Sequence, residues 1–168
     1  FDAKRMIAKG LGDFTGNGLK LSTKQVLVTP ETDIESLSGE YPWLESEKLV
    51  AKPDQLFGKR GKNNLLLVGK DWKDVKAWIK ERMNKEVTIT QTTGETTGVL
   101  THFLVEKFFS HEEEYYLAIT TGRESDTIHF STKGGVDIEE VWNSVSTLEI
   151  PILSSIDEMD VAGFLPEE

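Results

Sequence analysis

One amphipathic helix stands out in a chain whose other regular segments are short. Residues 71–84 (DWKDVKAWIKERMN) place apolar side chains at helical spacing, and most of the Lys and Arg residues fall elsewhere on the helix. Asp71 is a good N-cap, and Asp74 lies near the positive end of the helix dipole. A helix with a single apolar face needs an apolar partner, so we expect this one to cover a sheet with its basic face in solvent.

The segments on either side of this helix have the length and patterning of strands. A short apolar run predicts a buried strand over 65–68, and alternating apolar and polar residues predict a half-buried one over 86–91. Further strands are predicted over 24–29, 49–52, 99–109, 115–120 and 127–131, and a short helix over 2–10. Turn residues at 122–126 predict that the last two strands form a hairpin. The pattern favours a mixed α+β fold with several antiparallel pairs.

Composition excludes several classes of protein. The 168 residues are enough for one ordinary domain or two small lobes. A net charge of −10 disfavours a general nucleic-acid binder, which needs Lys and Arg to neutralise phosphates. No run of about 18 apolar residues predicts a membrane span, and no secretory signal is recognisable. The absence of cysteine excludes disulfides, thiol catalysis and zinc–thiolate sites, and it fits a reducing compartment.

The acidity is concentrated in the last quarter of the chain. Residues 124–168 carry eleven acids and one base, so residues 1–123 are electrically balanced. Within that balanced part, residues 48–62 carry five bases and one acid, Asp54. Gly58 and Gly61 bracket two of the bases, and successive backbone N–H groups in such a loop can cradle phosphate oxygens. A solvated basic loop explains the same composition, and the loop lacks the Walker A pattern.

Three other segments are weaker candidates from the residues alone. The extended segment 105–109 can offer backbone N–H and C=O groups to a flat base, although a plain strand explains it as well. The acidic run 112–114 precedes a strand and can accept hydrogen bonds from a ribose, and Gly134–Gly135 is typical of a turn. The three histidines have no metal-ligand spacing with one another or with an acid.

Several of these segments together resemble a known family. The matching segments are YPWL (41–44), LVAKPDQL (49–56), KRGK (59–62), FLVE (103–106), EYY (114–116) and GGVD (134–137). Their order and spacing over residues 26–140 are similar to the amino-terminal part of the ATP-citrate lyases. The KPDQL…KRGK block is the specific part. The GGVD block is shared more widely with the β-subunits of succinyl-CoA synthetases.

The resemblance implies an ATP-grasp fold, in which nucleotide lies between two α+β lobes. We expect an incomplete version of it, with the nucleotide-binding lobe and the start of the second lobe. Residues 1–150 are then the nucleotide-binding portion, and residues 151–168 begin a truncated continuation. The resemblance assigns six residues to ATP: Lys52 to the phosphates, Arg60 and Gly61 to the loop that covers them, Lys107 and Phe109 to backbone contacts with adenine, and Glu114 to the ribose.

The family reaction converts ATP, citrate and CoA to acetyl-CoA, oxaloacetate, ADP and phosphate through a phosphohistidine and citryl-CoA. The resemblance places the phosphorylated histidine in another domain or a partner subunit, and the Mg²⁺ ligands beyond residue 168. No catalytic or metal-binding residue is therefore expected here, and the fragment is expected to be inactive alone. A cytoplasmic oligomer that contacts neither nucleic acid nor membrane is expected.

Two alternatives stay open. One is the β-subunit of a citryl-CoA or succinyl-CoA synthetase. The other is a non-catalytic binding module whose basic loop meets an acidic partner.

Overall fold

The computed structural model describes residues 1–16, 18–91, 94–135 and 142–165. The chain forms two compact units, Phe1–Phe109 and Ser110–Glu168. The boundary predicted after residue 150 concerns the extent of the nucleotide-binding portion, and it stays a prediction.

The first unit is built on a four-stranded antiparallel sheet. Its elements are α1 (Asp2–Phe14), β1 (Gln25–Val28), α2 (Leu37–Glu40), α3 (Trp43–Ser46), β2 (Leu49–Pro53), β3 (Leu67–Lys70), α4 (Trp72–Arg82), β4 (Glu86–Gln91), β5 (Gly94–Val99) and β6 (Phe103–Lys107). The sheet has the order β1-β6-β2-β3, while β4 and β5 form a separate hairpin. The latest strand in sequence lies between the two earliest, so long-range contacts assemble the sheet.

The two faces of this sheet differ in polarity because side chains alternate along each strand. Leu49, Ala51 and Pro53 of β2 are buried, and they pair with the β6 residues Lys107, Val105 and Phe103. The helix α4 adds Trp72, Val75 and Ile79 to the same core. The opposite face of these two strands carries Val50, Lys52, Leu104 and Glu106.

The amphipathic helix is present where its spacing predicts it, and its apolar face enters the core. Asp71 occupies the N-cap position, but its side chain makes no capping hydrogen bond. The Asp71 carboxylate instead accepts a hydrogen bond from Lys48 Nζ at 2.8 Å. Trp78 packs edge-on against Phe103, with ring centroids 5.6 Å apart.

The buried strand predicted over 65–68 is wrong in place and in burial, since the strand is Leu67–Lys70 and Val68 is 45% exposed. Two other predicted boundaries are wrong for identifiable reasons. The helix predicted over 2–10 continues to Phe14, because a glycine in a helix costs only about 1 kcal/mol relative to alanine. The long strand predicted over 99–109 is divided between β5 and β6. At the break, the backbone N–H groups of Thr101 and His102 donate to Gln55 Oε1, at 2.8 and 3.2 Å. A side chain 46 residues away thus ends the ladder.

The second unit is a three-stranded antiparallel sheet, β7-β8-β9, followed by short helical segments. Its elements are β7 (Tyr116–Thr121), β8 (Ser125–Ser131), β9 (Ser146–Pro151), a 3₁₀ turn (Ile156–Glu158) and α5 (Val161–Phe164). The hairpin predicted around residues 122–126 is present as β7–β8. Phe130 of β8 stacks on Tyr115 and meets Phe164 of α5 edge-on. Both units mix helices with antiparallel sheet, which confirms the predicted α+β class.

Across the described ranges, the helices are too short or too polar to cross a bilayer.

Candidate functional site

Lys52 lies near the carboxyl end of β2, one residue before the strand ends at Pro53. Its ammonium donates to Glu106 Oε1 at 2.7 Å. The register explains the pair: Lys52 is opposite Leu104 and Val50 is opposite Glu106, so the two charged residues are diagonal neighbours on one face. The Lys52 side chain is 25% exposed, so it remains accessible to a ligand while it is paired.

Glu106 has a second partner. Lys4 of α1 forms an ion pair with its other carboxylate oxygen, Oε2. Burial by itself would raise the pKa of Glu106, but hydrogen bonds and charges from Lys4 and Lys52 outweigh it and hold the pKa below its ordinary value. The carboxylate is therefore ionised at neutral pH and shared by two lysines.

The basic loop after β2 is anchored by side chains. Gln55 donates from Nε2 to the carbonyl of Val99 at 2.9 Å. Asn63 exchanges hydrogen bonds with the backbone of Thr90 in β4, at 3.2 and 3.3 Å. The loop turns sharply at Lys59 (φ 47°) and Asn64 (φ 55°), two non-glycine residues with left-handed backbone. The loop is therefore fixed against the neighbouring hairpin, and its left-handed turns do not depend on Gly58 or Gly61.

Arg60 is half-buried within this loop, and the described residues do not use all of its guanidinium N–H groups. Its Nη2 donates to the carbonyl of Gln55 at 2.8 Å, and this neutral group is the partner that the described residues supply. Its Nε is buried and has no hydrogen-bond partner among the described residues. Gly61 is exposed, and its carbonyl accepts from the backbone N–H of Asn64 at 3.2 Å. An anion with several oxygens would satisfy the remaining guanidinium donors.

The structure pairs two of the cations that the sequence places in this segment with acids. Lys48 pairs with Asp71, at 2.8 Å, and Lys52 pairs with Glu106. Both acids come from other parts of the chain, so the sequence alone does not show which of these cations are paired. Arg60 forms no ion pair with the part of the chain that the structure describes.

The segment that follows β6 is ordered by its neighbours. The backbone N–H of Lys107 donates to the carbonyl of Lys24 at 3.3 Å, and the backbone N–H of Phe108 donates to the carbonyl of Lys48 at 2.7 Å. Lys107 Nζ pairs with Glu47 at 2.9 Å and lies 5.3 Å from the centre of the Phe109 ring. That ring is 54% exposed. The segment thus offers a lysine backbone next to an exposed aromatic surface.

Glu114, in the second unit, is bound to His111 Nε2 through its Oε1 at 2.8 Å. The Gly134–Gly135 pair lies against the same residue. Gly134 N–H donates to the Glu114 carbonyl at 2.7 Å, and a Cβ on Gly135 would lie 2.3 Å from Glu114 Oε2. The two glycines therefore leave room for the acid. Asp137, from the same predicted motif, lies outside the described residues.

Comparison with known proteins decides the family. A family model described as the ATP-citrate synthase ATP-grasp domain matches residues 1–168. The chain belongs to this family. The ATP-grasp fold that the resemblance implies is thereby confirmed, and an ATP-grasp domain binds ATP.

Relatives of this ATP-grasp domain occur in plants, animals and archaea. The ATP-citrate synthase alpha chain protein 2 of Arabidopsis thaliana is 42% identical over 93% of this chain. The human ATP-citrate synthase is 37% identical over 90% of it. The chain covers 36% of the plant protein and 14% of the human one. It therefore spans about a third or less of the curated relatives that it matches.

Solved structures agree with this assignment. One is the ATP citrate lyase of Methanothrix soehngenii in complex with citrate and coenzyme A, which is 42% identical to this chain with a TM-score of 0.83. The match covers 99% of this chain and 38% of that one. Another is a mutant of the Methanosaeta concilii ATP citrate lyase in complex with (3S)-citryl-CoA, which is 38% identical to this chain with a TM-score of 0.76. That match covers 99% of this chain and 36% of the solved chain.

The six predicted site residues of this ATP-grasp domain are divided between the two units. The first unit holds Lys52, Arg60, Gly61, Lys107 and Phe109, and the second holds Glu114.

Sequence reasoning did not find two residues that hold predicted site residues of the first unit in place. Gln55 anchors the Arg60 loop, and Glu106 binds Lys52. The alternation of β6 was available as a signal for Glu106, but its pairing register with β2 was not.

Proposed function

We propose that this chain is the ATP-binding part of an ATP-citrate lyase. The carrying observation is the family match over all 168 residues, together with a lysine near the end of β2 and an anchored loop that presents Arg60 directly after it. Phosphoryl transfer requires chiefly that the phosphates be positioned and their charge be stabilised. Lys52 and Arg60 supply cations for that role.

The contacts with each part of the nucleotide are assigned with regard to the hydrogen bonds that these residues already make. We assign the phosphates to Lys52 and Arg60, with Gly61 in the covering loop. The N–H of Lys107 already donates to Lys24, so its carbonyl is the group assigned to adenine, together with the backbone of Phe109. Glu114 is assigned to the ribose hydroxyls.

The whole protein is proposed to convert ATP, citrate and CoA to acetyl-CoA, oxaloacetate, ADP and phosphate. We propose that the phosphorylated histidine belongs to another domain or a partner subunit of a cytoplasmic oligomer. The described residues do not bring together three His, Cys, Asp or Glu side chains that fit a metal ion. Following the family resemblance alone, we assign the Mg²⁺ ligands to a part of the protein outside these 168 residues. On this proposal, the 168 residues alone do not complete the reaction.

Calorimetric titration of the full-length protein with Mg-ATP tests the assignment. Lys52→Ala and Arg60→Ala each remove a charged hydrogen bond worth about 1.5–3 kcal/mol, so each should weaken binding by about ten-fold or more. Lys73→Ala removes the same charge from an exposed position on α4, and its Kd should stay near the wild-type value. If both Lys52→Ala and Arg60→Ala bind Mg-ATP like Lys73→Ala, the assignment of the phosphate site is wrong.

A further inference from the structure

Glu106 is a carboxylate held between two lysines from different elements. Lys52 of β2 binds one of its oxygens at 2.7 Å, and Lys4 of α1 binds the other. The Glu106 side chain is 14% exposed, whereas the Lys4 side chain is 51% exposed. A carboxylate this far from solvent needs compensation by positive charge, and here it receives two cations.

The contact restrains a flexible group. A lysine ammonium is a compact charge at the end of four rotatable carbons, so its position depends on what holds it. Lys52 is opposite Leu104, which is 2% exposed, and its ammonium reaches diagonally to Glu106. Among the described residues this bond uses one of the three ammonium donors, which leaves two for a ligand.

Lys4 changes the charge balance of this arrangement. If Glu106 faced Lys52 alone, the pair would be neutral and would attract an anion weakly. With Lys4 on the second oxygen, the group of three carries a net positive charge. Glu106 can therefore fix Lys52 without cancelling the attraction of the group for phosphates.

We propose that Glu106 is a positioning residue that holds the Lys52 ammonium for the nucleotide phosphates, while Lys4 maintains the positive charge of the group. This inference rests on the proposed function of Lys52. It adds a residue that acts through Lys52, and it gives α1 a part in nucleotide binding.

A double-mutant cycle on the full-length protein tests the proposal, with Mg-ATP as the titrant. Glu106→Gln keeps the size of the side chain and removes its charge, and it should raise the Kd about ten-fold. In the Lys52→Ala background, the same substitution should change the Kd less than two-fold, because the group that it positions is gone. Glu35→Gln is the control, since Glu35 also binds two lysines, Lys76 and Lys80, on a different surface.

Glu106→Asp keeps the charge on a shorter side chain, so it should recover part of the affinity lost in Glu106→Gln. It also provides a folded variant if Glu106→Gln does not fold, and its own effect should disappear in Lys52→Ala. Equal effects of the Glu106 substitutions in both backgrounds, or a wild-type Kd in Glu106→Gln, would overturn the positioning role. A wild-type Kd in Lys52→Ala would instead overturn the function proposed for Lys52.

Discussion

Replacing Gly135 by alanine should have two separate effects: it should destabilise the second unit, and it should move the Glu114 carboxylate and so weaken nucleotide binding. Gly135 has φ +98°, a backbone conformation that L-residues rarely adopt. A Cβ at this position would lie 2.3 Å from Glu114 Oε2 and 3.5 Å from its carboxyl carbon. The Glu114 side chain is 50% exposed, so the carboxylate can move away at small cost. The substitution therefore strains one backbone position and displaces one acid.

The two consequences have different magnitudes. Backbone strain of this kind costs about 1–3 kcal/mol of folding stability. The displaced carboxylate would lose its bond to His111 Nε2 and, on the proposed function, its contact with the ribose. A charge-assisted hydrogen bond is worth about 1.5–3 kcal/mol, so the Kd for Mg-ATP should rise by about 10- to 150-fold.

Two other glycines serve as matched controls. Gly94 has φ +118° with no atom within 4 Å of an added Cβ, so Gly94→Ala should reproduce the strain and leave the Kd unchanged. A Cβ on Gly134 would lie 2.5 Å from the backbone oxygen of Tyr115, so Gly134→Ala should lose more stability than either. Urea unfolding and calorimetry measure both quantities. A Gly135→Ala protein that binds Mg-ATP as tightly as Gly94→Ala would refute the reasoning about Glu114.

The remaining predictions concern packing and charge. Leu100 is 0% exposed and Leu56 is 98% exposed, so Leu100→Ala should cost about 2–5 kcal/mol in urea unfolding and Leu56→Ala less than about 0.5 kcal/mol; equal losses would contradict the assigned core. Hydrogen bonds from Lys76 and then Lys80 lower the pKa of Glu35 to about 2. Because this pKa lies below that of the unfolded chain, the stabilisation is present above about pH 4.3 and is lost as the pH falls towards 2. NMR titration of the Glu35 carboxyl carbon should show that low pKa, and the Lys76→Gln/Lys80→Gln protein should titrate near pH 4.3.

Elements with a strong local signal could be predicted from the sequence. The helix α4 is specified by apolar residues at helical spacing, and Trp72, Val75 and Ile79 are buried as that spacing requires. The β7–β8 hairpin follows from its turn residues and the strand-forming segments on either side. These features depend on neighbours within a few residues, which the sequence displays directly.

Elements that depend on distant partners could not be predicted. The break between β5 and β6 is made by hydrogen bonds from Thr101 and His102 to Gln55, and no local residue marks it. The same limit applies to the basic segment, where Asp71 pairs with Lys48 and Glu106 pairs with Lys52, contacts that the sequence does not show. In each case the deciding group is more than twenty residues away.

The sequence by itself determined the family and the α+β class, and the family resemblance supplied the residues that are proposed to bind ATP. It could do so because motif spacing and periodicity are properties of the chain order. Only the tertiary structure decided that Glu106 lies beside Lys52, because that contact depends on the register between β2 and β6, strands that are about fifty residues apart in sequence. It likewise placed Gly135 against the Glu114 carboxylate, a steric relation that becomes visible only once the chain is folded.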